Sequence, residues 1–298
     1  MNYYASWEVV SYCDLACWHC YSTYEDRPGF SYKPTLGQIQ QGLRNMRSAG
    51  FGFMNIEGGE PTLRPDVCEI IRACSQAGFE TIISTHGLSL RREHLFERLL
   101  EAGLDALSLS LDGASPEVDN AVRRRHSGAS SHHFEKVSEF MQWFDREKPP
   151  VRLKLNVVVM RSNLQDLYDN LGHLLRQWSS HLQVKLVQVH PEGRGRVNYE
   201  DLAVTPLEVQ ALATRVREQA LDKDVRIRLH DPHVPYPFVI VAANGEAIVP
   251  CGERQETIVA GGRALNVLDE EFAAHFMEWL ATNTWFAEGN RRINTYTA

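Results

Sequence analysis

Cys13-Asp14-Leu15-Ala16-Cys17-Trp18-His19-Cys20 gathers three thiols into eight residues, directly after an apolar run, Trp7 to Tyr12, that reads as a β-strand. Three soft thiolates in one loop can hold three irons of a [4Fe–4S] cube, and the fourth iron is then left without a nearby cysteine. An open corner of that kind is where a substrate or cofactor coordinates. The competing assignment is a structural zinc knuckle, which wants four ligands and a closed shell, with His19 as the available fourth. The remaining cysteines, Cys68, Cys74 and Cys251, are scattered. Disulfide frameworks belong to small secreted chains, so metal is the better assignment for the clustered thiols. Cys68 and Cys74 lie about 240° apart around a helix and read as small buried hydrophobes.

Outward from this loop, strands and helices alternate. Thr35 is placed to cap a helix through Ala49 with Gly50 as its stop, and a strand follows at Phe53 to Ile56. The alternation continues: helix Pro65 to Ala77, strand Thr81 to Ser84, helix Arg91 to Ala102, strand Ala106 to Leu111, helix His133 to Arg146, strand Leu153 to Met160. A helix from Asn163, a strand Gln183 to Val189 and a helix Pro206 to Ala220 complete the series. Six strands, each preceding a helix, imply an α/β fold with a parallel sheet, rolled into a partial (β/α)6 barrel over residues 1–222. Reactive groups in such folds collect where the C-terminal ends of the strands feed the loops. Residues 223–298 read as a small extension: a hairpin around Asn244-Gly245, with the type I′ turn that dipeptide favours, and a last helix from Glu270 to Ala281.

The chain has 298 residues, 43% of them hydrophobic and 23% charged, which excludes disorder as the main state. Its formal net charge of -7 argues against nucleic acid as a partner and tolerates a cationic substrate. No apolar run reaches the roughly 20 residues that span a bilayer, and no secretory signal is visible. A cytoplasmic protein without membrane or nucleic-acid partners is expected.

The cysteine loop resembles the CxxxCxxC signature of the radical S-adenosylmethionine (SAM) superfamily, and the likeness continues through residues 5 to 200. Gly58-Gly59-Glu60-Pro61 matches the family's GGEP element, where paired glycines permit close backbone approach and Glu60 or nearby carbonyls can accept from an ammonium group. Ser84-Thr85-His86-Gly87 resembles the TNG-like turn after strand three. Ser108-Leu109-Ser110-Leu111-Asp112-Gly113 resembles the S-x-D-G strand, whose serine and aspartate face the cofactor, and Asn156 lies on strand five as it often does in the family. One of Arg123, Arg124 and Arg125, with Arg123 first, falls where the family places an arginine for the SAM carboxylate; a solvated basic patch is the bland alternative. His19 occupies a usually aromatic place, from which an imidazole can stack on adenine.

The resemblance implies one [4Fe–4S] cluster on Cys13, Cys17 and Cys20, SAM chelated at the open iron, and an external one-electron reductant such as flavodoxin or ferredoxin. A 5′-deoxyadenosyl radical then abstracts hydrogen from the substrate. Pro250-Cys251-Gly252 resembles the first cysteine of the SPASM extension, but too few other cysteines exist for an auxiliary cluster. A lone thiol in a loop over the barrel mouth can instead return hydrogen from the opposite face, which makes Cys251 the candidate catalytic residue of an epimerase. Size and this degenerate tail resemble the small aminoglycoside epimerase branch, implying inversion of a C–H centre of an amino sugar. Candidate carboxylates for such a polycation are Asp14, Glu25, Asp26, Glu57, Glu192 and Asp231; His86, His190 and His230 are candidates for its hydroxyls. Two alternatives stand beside it: a peptide maturase or epimerase acting on a ribosomal precursor peptide, and a dehydrogenase of an amino sugar.

Overall fold

A computed structural model describes residues 2–21, 33–229, 237–251 and 254–289, without the side chains of 251, 254 and 255. Of the positions considered above, Glu25, Asp26, His230, Asp231 and the Cys251 side chain lie outside the described residues.

Seven strands run parallel and in chain order: β1 (Tyr3–Val10), β2 (Phe51–Gly58), β3 (Glu80–Thr85), β4 (Ala106–Ser110), β5 (Arg152–Val159), β6 (Gln183–Gln188) and β7 (Asp224–Arg228). Sequential right-handed crossovers put every connecting helix on one face of such a sheet, so the sheet curls and its other face becomes an interior. The helices on the outer face are α1 (Leu36–Ser48), α2 (Val67–Gln76), α3 (Leu95–Glu101), α4 (Pro116–Val122) and α5 (His133–Glu147), followed by Pro206–Gln219. Two of them start as the sequence requires, since Thr35 and Thr205 each close a capping box with a residue three positions on, Gln38 and Glu208. One residue of every second strand position, among them Trp7, Met54, Ile56, Leu107, Leu155 and Leu186, is fully buried in a single core with these helices. Each such side chain contributes about 1.5–3 kcal/mol on burial.

The expected parallel α/β architecture is present, with differences in detail. Helix α2 starts at Val67 because Pro61–Leu63 forms a separate 3-10 turn capped by Glu60. Helix α4 and strand β7 were not anticipated: α4 is one short turn pair in a polar stretch, and β7 alternates Asp224, Arg226 and Arg228 with apolar residues. Strand β8 (Val239–Val241) lies parallel to β1, and β9 (Ala247–Cys251) and β10 (Arg254–Thr257) continue antiparallel beyond it. The sheet therefore has ten strands in the order β10-β9-β8-β1-β2-β3-β4-β5-β6-β7. The boundary expected at 222/223 is no break in that sheet, because the later strands add to both of its edges. The turn between β8 and β9 is not type I′: Gly245 alone has positive φ (+88°), and Ala242 N donates to Glu246 O at 2.9 Å across three residues. This is the three-residue loop with glycine in the left-handed position.

Register also locates Cys251. Ala5 pairs with Val239 and Val241 with Ala247, which brings the Cys251 backbone level with Tyr3 at the start of β1. Cysteine 251 thus sits at the N-terminal end of the sheet, not over the mouth where the clustered thiols lie. Seven residues of β1 separate the two levels, about 23 Å of strand.

Candidate active site

The cysteine loop follows β1 and is held on three sides by main-chain bonds. From β2, Gly59 N donates to Val10 O at 2.7 Å and Glu60 N to Tyr12 O at 2.8 Å. From the arginine run, Leu15 and Arg125 form an antiparallel bridge and Ala16 N donates to Arg124 O at 2.8 Å. From the segment after β6, Arg194 N donates to Cys20 O at 2.9 Å. The glycine pair therefore approaches the chain's own backbone. A Cβ on Gly58, whose φ is +137°, would meet Val10 O at 2.2 Å, and one on Gly59 would meet Tyr12 O at 2.0 Å. That corrects the expectation of close approach to a ligand on this face of the turn.

Glu60 is likewise committed inward. Only 1% exposed, its Oε1 accepts from Thr62 N (3.0 Å), Thr62 Oγ1 (2.5 Å) and Thr85 Oγ1 (2.6 Å). Its Oε2 accepts from His86 N at 2.9 Å and lies 3.2 Å from His86 Nε2. A carboxylate with this many donors has no capacity left for a ligand ammonium; Glu60 and Thr85 instead lock the β3 turn under the cysteine loop. His86 carries that lock onward through Nε2 to Asp14 Oδ1 at 2.9 Å. Hydrogen bonding by His86 is the main reason the Asp14 carboxyl lies down at about 2.

Asp112, fully buried after β4, is the centre of the other half. Its Oδ1 accepts from Val158 N at 2.8 Å, and its Oδ2 meets Arg123 Nη2 at 2.6 Å and His19 Nε2 at 3.0 Å. Burial pushes this carboxyl up, yet the Arg123 guanidinium and His19 together hold it well below the usual carboxylate range. The three arginines thus separate. Arg123 is buried on Asp112, Arg124 stacks over Trp18 at 4.5 Å, and Arg125 pairs with Asp14 at 3.2 Å. No solvated basic patch exists there. Nor do Asp112 and Arg123 point their charges at open space: with His19 they clamp the cysteine loop to the strand ends.

A third layer escaped the sequence reading. Asp119 Oδ1 accepts from Asp112 N (2.8 Å) and Gly113 N (3.1 Å), while its Oδ2 lies 2.5 Å from His133 Nδ1. His133 Nε2 donates to His86 O at 2.8 Å, closing a path back to the Glu60 turn. Asp119 and His133 begin different helices, and nothing local in their segments marks the pairing.

Cys13, Cys17 and Cys20 carry no disulfide and pack together with Leu15 and Leu88. Burial above all, then the neighbouring acids and thiols, pushes the Cys13 thiol up; burial pushes Cys17 to about 12. A soft cation removes that penalty by binding the thiolates, so the donor set fits an iron–sulfur cube. Among the buried polar atoms around it that have no hydrogen-bond partner among the described residues are His19 Nδ1 and Asn156 Oδ1. They suit a polar organic ligand next to the cluster better than a closed zinc shell. Asn156 Nδ2 donates to Ser108 Oγ at 2.7 Å, and Ser110 stands opposite Asn156 in the ladder.

The interior face bears charge. On β1 and β2, Glu8 and Glu57 are register partners, and Glu57 accepts from Asn55 at 2.8 Å. On β5 to β7 the inward positions include Lys154, Lys185 and Arg228. Cys68 and Cys74 are buried in the outer core, as expected.

The model of the radical SAM superfamily matches residues 7–172, more than half of the chain. Mycofactocin maturase MftC of Mycobacterium ulcerans (strain Agy99) is 30% identical over 208 residues, 70% of this chain and 53% of that one. GTP 3′,8-cyclase of Chlorobaculum tepidum is 28% identical over 253 residues, 83% of this chain and 70% of that one. Among solved structures, Streptococcus suis SuiB bound to precursor peptide SuiA superposes with a TM-score of 0.69 at 14% identity, over 93% of this chain and 64% of that one. The chain spans about half the length of the maturase it matches. Among the described residues, no helix is long and apolar enough to cross a membrane.

Proposed function

The chain belongs to the radical SAM superfamily, and from that premise we propose that it is a peptide-modifying enzyme. It uses one [4Fe–4S] cluster and SAM, the cofactors of the family. When bound, they supply hydrogen-atom abstraction from an unactivated C–H bond. The chain's own residues do the rest. Cys13, Cys17 and Cys20 hold the cluster; Glu60, Thr85 and His86 fix the turn beneath it; Asp112 fixes His19 and Arg123 beside it. Gly58 and Gly59 let β2 close onto the loop. Asn156 within β5 and Ser110 at the end of β4 present polar atoms to the cofactor.

One observation carries the choice of substrate: the charge of the interior face. A polycation such as an aminoglycoside is complemented by Glu8 and Glu57 on one wall but meets Lys154, Lys185 and Arg228 on the other, where like charges cost several kcal/mol. A peptide, which carries a carboxylate as well as an amine, suits both walls. The names of the maturase and of the peptide-bound neighbour support the same assignment. The sheet's terminal strands also offer edges on which an extended leader adds as a further strand.

For the outcome at carbon we propose inversion, with Cys251 as hydrogen donor. The cluster loop and the Cys251 backbone lie at opposite ends of the sheet, so abstraction and return approach a bound residue from opposite sides. The thiol gives a hydrogen atom to the carbon radical and becomes a thiyl radical; one electron from the external reductant and one proton from solvent restore it. The test is anaerobic reconstitution with SAM and reductant, offered a panel of linear peptides and a panel of aminoglycosides. Expected are 5′-deoxyadenosine and a peptide product whose mass is unchanged in ordinary water and rises by one deuterium in deuterated water. Turnover confined to aminoglycosides overturns the peptide assignment. Full inversion by Cys251→Ala overturns the donor.

A further inference from the structure

Strands β5 and β6 alternate strictly: Leu153, Leu155, Val157, Val184 and Leu186 are buried in the helix-facing core, while Lys154, Asn156, Gln183 and Lys185 are only partly covered on the other face. The ladder sets Asn156 beside Lys185, Lys185 beside Arg226, and Val187 beside Arg228. A second set shares one tier from strand to strand: Glu8 with Glu57, and Ser84 with Ser108 with Lys154. Arg228 reaches over the Phe238 ring at 5.5 Å, and Phe238 meets Tyr4 of β1 at 6.1 Å. Three cations from three adjacent strands thus converge on the interior, with the acidic pair on the opposite wall. Arg226 is paired with Asp224 at 2.9 Å, whereas the ammonium groups of Lys154 and Lys185 make no hydrogen bond or ion pair among the described residues.

Two neighbouring lysines without partners on a half-covered surface are costly to the folded chain. Nothing in the cluster clamp or the outer core uses them. Two amines with no hydrogen bond or ion pair among the described residues are complemented by an anion, and a carboxylate is the anion that a peptide offers.

We infer that Lys154, Lys185 and Arg228 form a binding site for one carboxylate of the substrate, which anchors it in the interior with its reacting carbon toward the cysteine loop. This deepens the peptide assignment and rests on it for the identity of the carboxylate's owner. Its source is either the peptide's C-terminus or an acidic side chain, and both present the same group to the three cations. Burial chiefly, and Arg228 next, lowers Lys154 to about 8, and burial with Lys154 lowers Lys185 well below the lysine range. A carboxylate seated between them reverses that and also shields the amines.

Acetylation footprinting of the reconstituted holoenzyme at neutral pH reads both effects, with mass spectrometry following each lysine. The probes are N-acetylglutamine (free α-carboxylate), N-acetylisoglutamine (side-chain carboxylate), N-acetylglutamine amide (neutral) and glutarate (not a peptide). Raising Lys154 by one unit cuts its reactive neutral fraction about tenfold, so about tenfold protection is expected from one of the two acids. The neutral amide gives none, and exposed Lys136 is unchanged throughout. Which acid protects identifies the source. Lys185→Met, checked for native circular dichroism, abolishes the protection at Lys154. Protection by glutarate without either peptide-like acid keeps the anion site and overturns the peptide assignment. Equal protection by the neutral amide, or none by any acid, overturns the carboxylate site; peptide-dependent 5′-deoxyadenosine formation then judges the peptide assignment separately.

Discussion

Asp112→Asn tests the clamp that fixes the cysteine loop. The amide keeps an oxygen for Val158 N, 2.8 Å from Asp112 Oδ1, but leaves the Arg123 guanidinium buried without its counter-charge, where Oδ2 now stands 2.6 Å away. Removing one partner of a buried pair costs about 3–5 kcal/mol. At about 2–4 °C per kcal/mol for a chain of this order, the apoprotein melts about 10 °C lower by calorimetry. Arg123→Gln alone costs a similar amount. The double variant removes both charges together, so its cost falls short of the sum by about 2–3 kcal/mol. Iron content after anaerobic reconstitution follows the same order, because His19, and with it the loop between Cys17 and Cys20, loses its anchor in the single variant. Strict additivity, within about 0.5 kcal/mol, would refute the coupled clamp; an unchanged melting temperature for Asp112→Asn would refute the burial argument itself.

Other outcomes follow from the same geometry. Gly59→Ala forces a methyl group against Tyr12 O at 2.0 Å, a backbone atom that cannot step aside, and is expected to lower iron incorporation several-fold while leaving the helical circular dichroism in place. The Asp14 carboxyl lies at about 2, below its unfolded value, so its contribution is present above pH about 4 and is lost as the pH falls toward 2. Asp14→Asn therefore flattens the acid limb of the melting curve by about 1 kcal/mol or less, since the group is partly solvated. For Lys154, lowered to about 8, the folded chain binds protons less readily than the unfolded one. Its penalty is full below pH 8 and fades as the pH rises toward the unfolded lysine value. Lys154→Met accordingly stabilises the apoprotein at pH 7 by about 1–3 kcal/mol, read as a higher melting temperature, with the gain shrinking by pH 10.

Much of this protein was readable without coordinates. The spacing of Cys13, Cys17 and Cys20 names a cluster chemistry because a short loop forces its thiols together whatever surrounds it. Thr35 and Thr205 start helices because a hydroxyl three residues from a glutamine or glutamate satisfies local donors. Such signals are short-range, and so they survive in one dimension. Short elements such as α4 and β7 did not announce themselves, because a few residues of mixed polarity lack a measurable period.

What tertiary structure alone decided lies in meetings between distant positions. Arg123, Arg124 and Arg125 are equivalent in composition, yet strand β4 delivers Asp112 to only one of them. Glu60 looked like a ligand and is spent on Thr85 and His86, which a neighbouring strand brings within reach. Nothing in the sequence singled out Lys154 and Lys185; register turned them and Arg228 into one convergent set inside a curled sheet. Local covalent spacing determines which chemistry a chain can carry, but which charges face one another depends on pairing across the ladder, and that exists only once the strands have assembled.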